Sequence, residues 1–286
     1  MSPCRSVLFV EADDIEKISA ALSSEADAVI VDLEDMVAVS RKPFARSQLE
    51  AVRSHSHKGL LYIRVNTLRS SYCYDDLLAA VGNGLDGIVA PKVESPEDIA
   101  ILDWMLTQCE TRQGLEKSSI ELFPIIETAK AFQNIETIAV RKYERFRKVA
   151  FGAVDLTLDI GLRTNRDELE LSGMRLRFVT ACRAGLLDPP IDAIWIDLKD
   201  EDGLRDSTRR ALDYGFGGKF CSSIQQARVV NEMYSPTASE LEIAGRIVAA
   251  FDAATAEGKG SIEFEGRLID LPVAQAARRT LARKSN

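Results

Sequence analysis

The chain has 286 residues, enough for one barrel-sized core plus an appendage, and its 46% hydrophobic and 28% charged residues exclude wholesale disorder. A net charge of -8 excludes broad nucleic-acid binding, which needs a basic surface to displace counterions, but not a small anion held by local cations. Cys4, Cys73, Cys109, Cys182 and Cys221 are scattered and form no CxxC pair, so reduced thiols are expected rather than disulfides or a zinc site. The opening MSPCRSVLFVEADD has too short an apolar run for a signal peptide, and no stretch approaches the roughly 20 apolar residues of a membrane span. A cytoplasmic protein without membrane partners is expected.

Short runs rich in Val, Ile, Leu and Phe alternate with longer amphipathic stretches, the signature of repeated βα units. Strands are expected near residues 5–10, 28–33, 60–65, 86–90, 120–126, 148–152, 192–197 and 217–221. The expected fold is therefore α/β, a (β/α)8 TIM barrel. Charged groups follow these strands in order. AVIVDLED supplies Glu34 and Asp35, LLYIRVN Arg64, and DGIVAPKVES Lys92 and Glu94. ELFPIIETA then brings Glu127, KVAFGAVDL Asp155, and DAIWIDLKD Asp197 and Lys199. Charge at a buried strand end is costly unless it is paired or binds a ligand, and in a parallel barrel these ends share one face. That pattern points to an enzyme rather than a scaffold.

Between the strands, DIEKISAALSSE, PEDIAILDWMLTQCE, NIETIAVRKYERF and GMRLRFVTACRAGL carry apolar residues at helical spacings, and Ser95-Pro96 marks a helix start. The barrel pattern ends near Tyr234, where Ser235 and Pro236 break the chain. This gives an expected barrel domain over 1–235 and a helical extension over 236–286. The extension reads as a helix from Thr237 to about Glu257, a loop EGKGSIEFEGRLID and a last helix LPVAQAARRTLARK. So short a tail needs a further surface to bury itself, either the barrel or a neighbouring subunit.

Glu127 and Asp155 end two successive strands. Two such carboxylates suit Mg2+, which commonly takes one or two protein carboxylates plus waters and substrate oxygens. The alternative is that each caps the helix that follows it.

The strings RSVLFV, ADAVIVDLED, KPFAR, IRVN, DGIVAPKVES, PIIETAKA, FGAVDL, DAIWIDLKDEDGL, GFGGKFC and GRLIDLPVAQAARR, in this order and spacing, carry a resemblance. The chain resembles the citrate lyase beta subunit-like branch of the HpcH/HpaI aldolase family, which includes malyl-CoA and citramalyl-CoA lyases. The resemblance implies that Glu127 and Asp155 ligate Mg2+, that Arg64 grips the carboxylate or carbonyl oxygen of a 2-oxo acid, and that Glu34 and Asp35 belong to the pocket. A planar guanidinium suits that grip, and the alternative is a structural ion pair with Glu34 or Asp35. The backbone N–H groups of Gly152, Ala153, Val154 and Asp155 are further candidates to hold the acid, as at a helix N-terminus.

The resemblance also implies that Asp270 reaches a neighbouring subunit's active site and transfers a proton at the alpha carbon of a thioester. Capping of the final helix, with Pro272 in its first turn, is the alternative. Lys42 and Arg46 sit where the family places contacts for an anionic cofactor, and their spacing puts both on one helix face, although surface solvation accounts for them as well. His55 and His57 read as an exposed turn, and Cys221 as a small core residue rather than a nucleophile. Three departures from the family pattern fall at the barrel mouth: Glu11-Ala12 in place of Pro-Gly, Ser223-Ile224 in place of His-Pro, and Val154 in place of an acid.

The resulting expectation is a Mg2+-dependent carbon-carbon lyase acting on a 3-hydroxy acid, free or as its CoA thioester, with a 2-oxo acid product. It is expected to be a homo-oligomer, a trimer or hexamer by family habit. The alternatives are a thioesterase or free-acid aldolase using the same metal site, or a retired family member that only binds.

Overall fold

Side-chain alternation decides where the core lies. Val7 and Phe9, Ala28 and Ile30, Tyr62, Val89, Phe123 and Ile125, Ala150, Ile191 and Phe220 form one buried cluster, each drawn from an inward-facing position of its strand. Each fully buried Phe or Ile contributes about 1.5–3 kcal/mol relative to exposure. In this computed structural model, which describes residues 4–283, the strands that carry them close into a parallel barrel in sequential order. They are β1 Ser6–Glu11, β2 Ala28–Asp32, β3 Leu60–Arg64, β4 Gly87–Ala90, β5 Glu121–Ile126, β6 Ala150–Phe151, β7 Ile191–Asp192 and β8 Gly218–Cys221. β1 pairs with both β2 and β8, which completes the (β/α)8 TIM barrel. Phe9, Phe123 and Phe220 meet edge-on or tilted across the interior. At the N-terminal end Tyr62 donates to Glu121 (2.7 Å) and accepts from Lys148 (3.0 Å), giving that end a polar plug.

Within the barrel, two elements differ from expectation. β7 ends at Asp192, so the apolar run that follows is loop: the Trp195 indole donates to Asp200 O, while Asp200 caps the helix Glu201–Tyr214. Ile196 and Leu198 are exposed there, and Asp197 and Lys199 lie in the exposed loop rather than at a strand end. The helix expected over NIETIAVRKYERF stops at Ala139. Beyond it Arg145 is fully buried against the helix Pro96–Gln113, with Asp103 at 2.8 Å and both oxygens of Glu110 at 2.7 Å, and that attachment replaces helical continuation. The helix start at Ser95 is as expected: its side chain accepts from Asp98 N, and Gly114 at φ +68° ends the helix.

The chain divides into two compact units, Met1–Asn231 and Glu232–Asn286, with the division inside the helix Ile224–Tyr234 rather than at Ser235-Pro236. In the second unit Thr237 and Glu240 form a capping box at the start of the helix Ala238–Ala256. The segment expected as loop is an antiparallel hairpin, β9 Ser261–Phe264 and β10 Arg267–Asp270, turned by Glu265 and Gly266, both at positive φ. The helix Leu271–Ala282 follows, and Phe251, Ile269 and Ala274 form this unit's core. Among the described residues no helix is long and apolar enough to cross a membrane.

The barrel wall also contains a buried ion cluster on its helix-facing side. Asp192 accepts from Arg175 (2.9 Å) and Lys219 (2.7 Å), and all three are essentially excluded from solvent. Burial works against the Asp192 charge, but Lys219 and Arg175 outweigh it and hold the carboxyl below its usual range. Replacing Asp192 with Asn strands two buried cations, so Asp192→Asn is expected to lose about 3–5 kcal/mol in chemical denaturation. A group with a depressed folded pKa stabilises above its unfolded value of about 3.9 and loses that contribution as pH falls through the folded one. Wild type should therefore show an acid-dependent loss of stability below about pH 4 that the variant lacks; identical acid profiles would contradict the assignment.

Candidate active site

At the C-terminal ends of the strands the inward-facing rows continue into charged residues. Register places Glu11 beside Asp32 and Asp32 beside Arg64, two positions above Phe9, Ile30 and Tyr62. Arg64 donates to both oxygens of Asp32, from Nε at 2.5 Å and Nη2 at 2.8 Å, and its guanidinium lies over the Phe9 ring. Asp32 also accepts the N–H groups of Glu34 and Met36. Burial opposes the Arg64 charge, yet Asp32 and Glu34 raise its pKa above the ordinary arginine value. The expected partner Glu34 is present, with Oε2 3.2 Å from Nη1. The principal partner, Asp32, was not singled out in the sequence, although its parity with Ile30 on the inward row is the signal that identifies it. With the Nε and Nη2 fork occupied by Asp32, a ligand oxygen would meet the remaining guanidinium N–H groups.

The second half of the site gathers around Lys92. Its Nζ lies 3.0 Å from Glu34 Oε1, 3.4 Å from Asp35 Oδ2 and 3.7 Å from Asp155 Oδ1. Its backbone N–H donates to Glu127 Oε1 at 2.9 Å. Glu127, 3% exposed, follows β5 on the same inward row as Phe123 and Ile125. Gly152 makes room for it: a Cβ at 152 would fall 2.6 Å from Glu127 Oε2. Burial pushes Glu127 up to about 8, with Glu34 and Asp155 adding to the rise and Arg64 and Lys92 opposing it. Burial likewise raises Glu34, against the pull of Arg64 and Lys92. Glu34 Oε2 is buried without a hydrogen-bond partner.

Capping does not account for Glu127, because Thr128 caps the helix Ala129–Gln133 by accepting from Ala131 N. Asp155 lies in the first turn of the helix Ala153–Ile160 and remains partly solvated. Of the backbone donors expected at this turn, Gly152 N–H is spent on Ile126 O across the barrel wall. The first helical turn, from Ala153 through Val154 to Asp155, starts there, and its N–H groups lack partners within the helix.

Other sequence candidates lie elsewhere. Lys42 is buried, and its three ammonium donors go to Leu33 O, Glu34 O and Asn66 Oδ1 at 2.6–2.8 Å, so none remains for an anionic cofactor. Its role is to tie down the backbone on which Glu34 sits. Arg46 pairs with Asp76 (2.9 Å) and approaches Asp75. Asp270, in the second unit, caps the helix Leu271–Ala282 by accepting from Val273 N, with Leu268, Leu271 and Val273 exposed around it. His55 and His57 precede β3, away from its C-terminal end. Burial pushes the Cys221 thiol up to about 12, which leaves it inert at neutral pH.

The donor set is hard oxygen, and its charge is unbalanced: Asp32, Glu34, Asp35 and Asp155 pair with Arg64 and Lys92, and Glu127, held by the Lys92 backbone N–H, adds a fifth carboxylate against these two cations. Such a cluster fits Mg2+ rather than a softer metal. Among the described residues no three His, Cys, Asp or Glu side chains converge as a ready-made cage. Mg2+ does not require one, since two carboxylates suffice when waters and substrate oxygens complete its shell.

Comparison with known proteins agrees with this architecture. A family model described as HpcH/HpaI aldolase/citrate lyase matches residues 5–223. A (3S)-malyl-CoA thioesterase from Cereibacter sphaeroides (strain ATCC 17025 / ATH 2.4.3) is 32% identical, over 98% of this chain and 94% of its own. The citrate lyase subunit beta of Escherichia coli K12 is 30% identical over 98% and 92%. Among solved structures, the CitE protein of Mycobacterium tuberculosis in complex with magnesium, acetoacetate and coenzyme A matches at TM-score 0.80 with 27% identity, covering 99% of this chain and 97% of that one. A citrate lyase from Burkholderia xenovorans LB400 matches at TM-score 0.84 with 16% identity, a likeness of fold alone. With a model spanning most of the barrel and relatives aligned along nearly its whole length, the chain belongs to the HpcH/HpaI aldolase/citrate lyase family.

Proposed function

We propose that this protein is a Mg2+-dependent carbon-carbon lyase that cleaves, or in reverse forms, a 3-hydroxy acid or its CoA thioester, with a 2-oxo acid as one product. The observation that carries the reading is Glu127. It is a buried carboxylate that caps no helix, has one oxygen fixed by Lys92 N–H and the other beside Gly152, and is pushed up to about 8 by burial and its acidic neighbours. Glu127 and Asp155 would hold Mg2+, whose contribution when bound is Lewis-acid polarisation of the substrate's oxygen.

The chain's own residues account for the rest. The remaining N–H groups of Arg64 receive the oxo-acid portion, and the first-turn N–H groups of Ala153, Val154 and Asp155 offer a second set of donors. Glu34, 3.2 Å from Arg64 Nη1, lies beside any acid held there, and its raised pKa suits a group that takes the substrate's hydroxyl proton. Asp35, exposed at the rim, balances Lys92. Cleavage leaves electron density on the alpha carbon of the other fragment, and Asp270 from a neighbouring subunit returns a proton there. Support for that last role is the exposed apolar collar of Leu268, Leu271 and Val273 around Asp270, a surface suited to burial in a trimer or hexamer. The M. tuberculosis structure that holds magnesium, acetoacetate and coenzyme A lends the substrate class its support.

A second reading, hydrolysis of a CoA thioester at the same site, is favoured by the 32% identity to a malyl-CoA thioesterase. Product analysis separates the two: cleavage yields an oxo acid, whereas hydrolysis yields a free hydroxy acid and none.

Glu127→Gln is expected to lower metal-dependent turnover by about 100-fold or more, since losing a ligand should exceed the 10–100-fold cost of losing an outer-shell partner. Its circular dichroism spectrum should match that of wild type, and full activity in this variant would remove the metal site. Asp270→Asn should be similarly inactive, and co-expressing it with Glu127→Gln should restore part of the activity by pairing one intact barrel with one intact tail. Mixed oligomers that stay inactive would place Asp270 outside the reaction.

A further inference from the structure

Lys92 adopts a left-handed backbone, φ +52°, which a side chain disfavours and glycine would take without strain. The conformation is retained while one residue does two things. Its N–H fixes Glu127 Oε1, and its ammonium spans Glu34, Asp35 and Asp155 at 3.0, 3.4 and 3.7 Å. Its side chain is about 29% exposed, so it reaches down into the mouth from the rim. Glu34 Oε2, buried and without a hydrogen bond, depends on ion pairing for its compensation. Replacing Lys92 with Gly would relieve the backbone, leave Glu34 with Arg64 as its paired cation, and remove the ion pairs that Asp35 and Asp155 make with Lys92.

We propose that Lys92 is a positioning residue that acts as the cluster's resident counter-ion: its ammonium holds Glu34, Asp35 and Asp155 together and gives up its place beside Asp155 when Mg2+ enters. This rests on the reading that Glu127 and Asp155 bind Mg2+. An ammonium 3.7 Å from Asp155 and a divalent cation on the same carboxylate repel each other, so the two compete. Lys92 keeps Glu34 and Asp35 as partners after leaving Asp155, so it can retreat without becoming an unpaired charge. Its backbone N–H is unaffected and continues to orient Glu127. The exchange of one cation for another lets the site stand folded without metal and sets the metal's affinity below that of the bare carboxylates.

The test is calorimetry with MgCl2 alone, paired with thermal unfolding in EDTA and in Mg2+. Lys92→Asn removes the charge while keeping a residue that tolerates the left-handed region. It should bind Mg2+ about three- to tenfold tighter and melt lower in EDTA, with the loss recovered in Mg2+. Lys92→Gly should show the same tightening, and Lys92→Arg should stay within about twofold of wild type. Unchanged or weaker Mg2+ binding in both Lys92→Asn and Lys92→Gly, or an equal loss of stability in EDTA and Mg2+, would overturn the proposal, because a merely structural lysine behaves that way. If wild type and variants alike gave no heat with MgCl2, the metal reading itself would fail.

Discussion

Carboxylates crowded into a low-dielectric barrel mouth repel one another, and the upper half of this barrel is organised around containing that repulsion. The containment is graded. Asp32 is the best satisfied, with a guanidinium fork and two backbone N–H groups, so it serves as a fixed anchor that sets the orientation of Arg64. Glu34 shares Arg64 and Lys92. Glu127 receives a backbone N–H from Lys92, and burial, with Glu34 and Asp155 nearby, raises its pKa. Asp155 faces solvent enough to stay hydrated. Residues at the well-paired end of this series build the pocket, and those at the poorly paired end have coordination to offer.

Much of this was legible in the chain because strand periodicity is a local property. Seven of the eight strands lie within two residues of their expected bounds, β7 being the exception, and Glu34, Arg64, Lys92, Glu127 and Asp155 meet at one mouth. What escaped depends on distant contacts. An apolar run such as AIWI does not reveal that backbone pairing has already stopped at Asp192, where the chain turns to seat Trp195 against the next helix. The four-residue spacing of Lys42 and Arg46 says that they share a helix face but not that Lys42 points inward onto backbone carbonyls. The αL backbone of Lys92 has no sequence mark, since nothing local forbids a lysine from an ordinary conformation there. Asp32 and the hairpin at Glu265-Gly266 are different cases: inward-row parity and a two-residue turn between alternating runs were both present and went unread.

The second unit poses its own energetic problem. Its core rests on Phe251, Ile269 and Ala274 with partly buried Ile247, Ile262 and Phe264, little for a segment of its length. A capping box and a tight hairpin turn supply local order, not burial. Leu268 and Leu271, 69% and 50% exposed on either side of Asp270, are therefore unusual for their cost in water. Asp270 itself is held by the helix it caps, which fixes the direction of its carboxylate relative to that apolar collar.

The departures from the family pattern can be weighed against this geometry. Glu11 ends β1 next to Asp32 in register and would worsen the crowding, but Lys17 neutralises it at 3.0 Å. Val154, set against the acid of the family pattern, shares its helix turn with Asp155 and is about half exposed. The β1 side of the mouth thus carries Glu11 paired with Lys17, while the β6 side presents exposed Val154 and Leu158 beside Asp155. On the neighbouring β7 stave the loop also exposes Ile196 and Leu198. The fork between Arg64 and Asp32 and the hold of Lys92 on Glu127 are made by other residues, so these positions shape the surface around the charged cluster rather than its pairing.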